Sequence, residues 1–195
     1  MPRLFTAVTI PETVKSQLAR VQRTLAEDLP AAKFVAPENI HVTLKFLGDA
    51  PPELIPKIKD RLTKKLADFE PFTIRPGGLG AFPGARYART LWVGLDEGDR
   101  ELKQLFKHVE KALLNLGFGR EKRRFSGHLT LARLRQAQNI ENAIARPEAN
   151  VSCPDVSVDR VVLFESILEP GGPVYTSLFE QILSGQKDPE NDGAP

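Results

Sequence analysis

Residues that most often carry metal or redox chemistry are scarce in this chain of 195 residues, which has one cysteine, Cys153, and three histidines. A lone thiol excludes an intramolecular disulfide and suits a reducing compartment. It also leaves no cysteine pair for zinc, and no His-x-x-x-His spacing offers a substitute. No stretch approaches the roughly 18 consecutive apolar residues that a membrane span needs. The opening Met1-Pro-Arg-Leu-Phe lacks the basic start and apolar run of a signal peptide. A phosphate-binding Gly-Lys-Ser/Thr loop is missing too, so nucleotide-driven chemistry has no visible apparatus. From these absences we expect a cytoplasmic protein with no membrane partner and no metal site, and modest charge without an evident exposed apolar repeat makes a monomer the default.

What remains is ordinary globular composition, with 41% hydrophobic and 27% charged residues. The length suits one domain over residues 1–184. From Gly185 the sequence turns polar and reads as a disordered tail, 185–195. Net charge is +2, but it is unevenly spread. Between Arg120 and Arg135 lie Arg120, Lys122, Arg123, Arg124, Arg133 and Arg135 against Glu121 alone, with His128 inside the window. A basic surface beside a reactive group attracts a polyanion, although a solvated loop would look the same.

Hydrophobic periodicity predicts strands at 3–10, 39–47, 71–79, 87–95, 125–134, 156–166 and 174–183. It predicts helices over 12–28, around Leu54–Leu66 and over 98–116, with a short one near 139–146. Several strands adjoin in sequence, which favours an α+β fold with largely antiparallel sheets over a doubly wound parallel one.

Two segments repeat. His41-Val-Thr-Leu-Lys-Phe-Leu and His128-Leu-Thr-Leu-Ala-Arg-Leu share His, Thr and Leu at the same offsets, which suggests two related lobes with one copy each. Strand alternation puts Ile40, Val42, Leu44 and Phe46 on a buried face, with His41, Thr43 and Lys45 on the other. In the second copy His128 and Thr130 point out together. Two imidazoles facing each other suit phosphodiester cleavage. Near neutral pH one is a base for water and the other an acid for the leaving oxygen. Thr43 and Thr130 can donate hydrogen bonds to phosphate oxygens, and Lys45 by parity adds a positive charge. His108, in the third helix, reads as a boundary residue.

At these residues the chain resembles the two-histidine phosphoesterase superfamily, and within it the RNA 2′,3′-cyclic phosphodiesterases, also called 2′-5′ RNA ligases. The resemblance rests on Arg3-Leu-Phe-Thr-Ala, Pro37-Glu-Asn-Ile-His-Val-Thr-Leu-Lys-Phe-Leu-Gly, Gly80-Ala-Phe-Pro and Thr90-Leu-Trp-Val-Gly. It continues through His128-Leu-Thr-Leu-Ala-Arg, Phe164-Glu-Ser and Gly172-Pro-Val-Tyr175. It implies a bilobal fold with two pseudo-symmetric, mainly antiparallel sheets flanked by helices around a central cleft. It also implies His41 as proton donor and His128 as proton acceptor, opening the cyclic phosphate at an RNA 3′ end to a 2′-phosphomonoester without metal. End joining through a 2′-5′ linkage, or binding of RNA termini without turnover, are the alternatives. Arg133 matches the family's arginine after the second motif, yet parity places it opposite His128 unless the strand ends or bulges. Tyr175 is a candidate to stack on a base. Gly127 stands where members often have proline, which loosens the approach to His128.

Overall fold

Pro11 ends the first strand and opens α1 (Glu12–Asp28), whose Val14, Leu18, Val21 and Leu25 share one buried stripe. The same spacing builds α2 (Ile55–Leu66) around Ile58, Leu62 and Leu66, and α3 (Asp99–Ala112) around Leu102, Leu105 and Val109. α3 stops four residues short of the 98–116 expected, because Asn115 and Gly117 take left-handed backbone at φ 65° and 88°. A single turn, α4 (Glu141–Ile144), lies within the short helix expected near 139–146.

The strands are β1 (Arg3–Thr9), β2 (Ala32–Phe34), β3 (His41–Asp49), β4 (Phe72–Phe82) and β5 (Ala88–Glu97). β6 (Leu129–Gln138), β7 (Val156–Val158), β8 (Arg160–Glu169) and β9 (Gly172–Ile182) follow. β2 is too short to show a period in sequence. The strand expected at 125–134 begins only at Leu129, after a loop. The one expected at 156–166 breaks at Asp159 into β7 and β8. The structure, a computed structural model, describes residues 1–185, so all of the expected tail except Gly185 lies outside the described residues.

All strand pairings are antiparallel, in the order β7-β4-β5-β6-β3-β1-β8-β9, with β2 added beside β6. The two lobes expected from the repeat are therefore halves of one continuous sheet, and one residue pair, Val42 with Leu129, joins them. Only Asp159 separates β7 from β8, although they belong to opposite halves, so the sheet curls upon itself. The units β1–α1–β3 and β5–α3–β6 are equivalent, but their helices are exchanged. α1 packs against β6 and α3 against β3. All three long helices contribute to one core with Val42, Leu44, Leu129 and Leu131. Among the described residues no helix is long and apolar enough to cross a membrane.

Candidate active site

The β3–β6 seam sets the geometry of the site. Because the strands run antiparallel through Val42 and Leu129, Thr43 lies toward His128 and His41 toward Thr130. These four side chains occupy the sheet face away from the helices. Each histidine is oriented in the same way. His41 Nδ1 donates to the Asn39 carbonyl at 2.8 Å, and His128 Nδ1 donates to the Ser126 carbonyl at 2.7 Å. A carbonyl can only accept, so each neutral ring carries its proton on Nδ1 and leaves Nε2 unprotonated. The Thr43 hydroxyl reaches His41 Nε2 at 3.0 Å.

Aromatic rings wall both imidazoles. Phe5 stacks on His41 with centroids 4.9 Å apart, and Tyr175 meets it edge-on at 5.4 Å. His128 is flanked by Phe82 at 5.0 Å and Trp92 at 6.1 Å. Burial pushes His41 far below the ordinary histidine value, to about 4, and the charges of Lys15, His128 and Arg133 act in the same direction. Its bond to Asn39 opposes them. Burial also lowers His128, and Arg133 adds to the effect against the Ser126 bond. Both rings are thus neutral in the free protein near pH 7.

Both motif strands carry a bulge at the same place, three residues after the histidine. Opposite β1, Thr6 pairs with Lys45 and Ala7 with Thr43, leaving Leu44 as the extra residue. Opposite β5, Leu91 pairs with Ala132 and Trp92 with Thr130, leaving Leu131. An extra residue reverses the alternation beyond it. The bulge corrects the expectation for Lys45, which leaves the cleft face. It is buried, ion-pairs with Glu110 of α3 and donates to the Gly119 carbonyl at 2.7 Å. Phe46, expected in the core, is instead 68% exposed and lines the cleft. The same reversal brings Arg133 onto the His128 face, where simple parity did not put it.

A buried glutamine of α1 holds the second bulge. Gln22 Nε2 donates to the carbonyls of Leu131, at 3.0 Å, and Val35, at 2.7 Å. The Leu131 carbonyl also accepts the Val35 amide at 2.8 Å. The bulge therefore leaves no orphan acceptor. A polar residue beside Val21 in an otherwise apolar stripe was the available sequence signal, and it was missed.

The cleft has a volume of about 530 Å³. His41, Thr43, Thr130, Arg133 and Tyr175 line it, whereas His128 lies outside its lining on the same sheet face. Burial raises the Tyr175 hydroxyl, and the Arg133 charge pulls it back. The Arg133 guanidinium is thus felt by both imidazoles and by Tyr175. Asn39 Nδ2 donates to the Pro173 carbonyl at 2.8 Å and ties the β9 end carrying Tyr175 to the loop before His41. Gly127, expected to loosen the second approach, packs closely there. It is buried, and a Cβ there would collide with Leu102 of α3. His108 sits elsewhere, bonded to the Gln104 carbonyl and edge-on to Phe69. Among the described residues no cluster of three or more His, Cys, Asp or Glu is arranged to hold a metal ion.

Comparison with known proteins gives concordant matches. The family described as LigT like Phosphoesterase matches twice, over residues 8–92 and 93–175. An Aeropyrum pernix protein named RNA 2′,3′-cyclic phosphodiesterase is 37% identical over 166 residues, covering 84% of this chain and 93% of that one. A Thermotoga maritima protein of the same name is 30% identical over 185 residues, covering 94% and 96%. A crystal structure of a Thermus thermophilus protein superposes with a TM-score of 0.75 at 29% identity, covering 95% of this chain and all of that one.

Proposed function

This chain belongs to the LigT-like phosphoesterases, and we propose that it is a hydrolase that opens RNA 2′,3′-cyclic phosphates with His41 and His128 as its acid–base pair. His128 takes a proton from water as it attacks phosphorus, and His41 gives one to the departing 3′ oxygen. A 2′-phosphomonoester remains. Thr43, Thr130 and Arg133 hold the non-bridging oxygens, Tyr175 flanks the ribose and base, and no metal takes part. We place the activity in a cytoplasmic monomer of one bilobal domain over 1–184.

The observation that carries this reading is the pair of imidazoles on one sheet face, each fixed through Nδ1 so that Nε2 is the atom left to take or give a proton, with the Thr43 hydroxyl on that of His41. A bound phosphate anion between the rings favours an imidazolium, reversing the effect of burial and Arg133. The donor is therefore loaded when substrate binds. In consequence the alkaline limb of kcat/KM, which reports the free enzyme, lies at lower pH than that of kcat.

The test is product identification on a short RNA ending in 2′,3′-cyclic phosphate, with and without chelator. We expect a 2′-phosphate, insensitivity to chelator, and losses of roughly 10²–10⁴-fold in His41→Ala and His128→Ala. Full activity in either variant would sink the proposal. Adding an RNA with a 5′-hydroxyl reads the joining reaction in the same tube.

A further inference from the structure

Lys33 of β2 lies directly opposite Arg133 of β6, and both side chains line the cleft. Like charges directly opposed on paired strands are destabilising. In none of the other strand registers among the described residues do two cations stand opposite each other, and Arg75 of β4 instead faces Glu97 of β5. Lys33 and Arg133 have no ion-pair partner among the described residues. Glu38 and Glu169 also line the cleft, but among the described residues neither lies within ion-pair distance of these cations, so the opposed pair of Lys33 and Arg133 is left to receive two negative charges. A cyclic phosphate carries only one, and Arg133 takes it. The cleft, about 530 Å³, is also larger than a phosphate needs and falls in the range of nucleotide-sized sites.

We infer that Lys33 binds the phosphodiester preceding the terminal nucleotide, so that the substrate is the end of an RNA chain rather than a free cyclic mononucleotide. The inference rests on the hydrolytic reading above for the place of the first phosphate. Lys33 contributes one charge-assisted contact, which a mononucleoside cyclic phosphate cannot make.

Two probes separate the cases: a mononucleoside 2′,3′-cyclic phosphate, and a 5′-hydroxyl dinucleotide with the same cyclic end. The wild-type protein should prefer the dinucleotide. Lys33→Ala should lower kcat/KM for the dinucleotide about 5–10-fold through KM, and leave the mononucleotide unchanged. It should reduce the salt slope for the dinucleotide by about one, and Lys33→Arg should restore most of the loss. An equal fall on both probes, or none on the dinucleotide, overturns the inference. If the wild type turns over neither probe, the hydrolytic reading fails instead. Calorimetric binding of the two matching 2′-phosphates then decides Lys33 by the same ratio.

Discussion

The β3 and β6 copies share their His, Thr and Leu offsets, their carbonyl-anchored imidazoles and their bulge, and they diverge most in chemistry past the bulge. Four residues after the histidine both strands turn inward, with Lys45 in one and Ala132 in the other. Five residues after it both turn outward, with Phe46 in one and Arg133 in the other. One backbone device thus delivers an apolar wall to one side of the cleft and a cation to the other. Around the histidines the difference is one of degree. His41 is enclosed by Phe5, Tyr175 and the Asn39–Pro173 bond, while His128 lies more openly beside Phe82 and Trp92. A duplicated scaffold can keep its geometry while single positions assign different work to its halves.

The sharpest way to break the comparison is at Lys45, the inward position that has no charged counterpart. Glu110→Ala strands a buried ammonium whose side chain is 5% exposed. We expect a loss of about 3–5 kcal/mol in urea unfolding, with most of it regained in a Lys45→Met, Glu110→Leu double variant. A loss below about 1 kcal/mol would make the pair dispensable.

The enclosure of His41 gives a second test. Its folded value, about 4, lies below the unfolded 6.5. The unfolded state therefore binds the proton first, and stability falls as pH drops from 6.5 toward 4. The fall is on the order of 3 kcal/mol, and His41→Phe should abolish it. An unchanged acid slope in that variant would assign the sensitivity to other groups.

The outward position offers a third and somewhat smaller effect. Arg133→Phe makes the second copy resemble the first, and we expect about a 10²-fold loss in kcat/KM. Because Arg133 depresses both imidazoles, the alkaline limb of the pH profile should also move upward. A drop in rate with no movement of that limb would place the guanidinium away from the rings.

The helices and most strands were legible because their apolar spacing is regular, and the two histidines stood out as a repeat in a chain with few of them. The bulges were not legible. Alternation by two is the only rule that a strand's sequence displays, and a single extra residue at Leu44 or Leu131 leaves no mark in composition. Everything downstream therefore changed face, which is why Lys45 and Phe46 were exchanged and why Arg133 depended on an irregularity. The packing role of Gly127 was hidden for a related reason. Its meaning lies in a contact with Leu102, 25 residues away, and not in its own flexibility. Lys33 precedes the motif by eight residues, on a strand of three, and only its pairing with β6 gives it significance.

The exchanged helices have a consequence for how the molecule comes apart. α1 leaves β1 and covers β6, while α3 leaves β5 and covers β3. If the chain were cut between its two repeats, each piece would lose the strand against which its helix packs most, β6 for α1 and β3 for α3. The repeats share one core, so we expect the pair to melt in one cooperative transition in a calorimetric scan. The closing contacts join residues about a hundred positions apart, as Gln22 and Leu131 are. Assembly then waits on long-range encounters, and a nascent chain holds no finished site until β6 has formed.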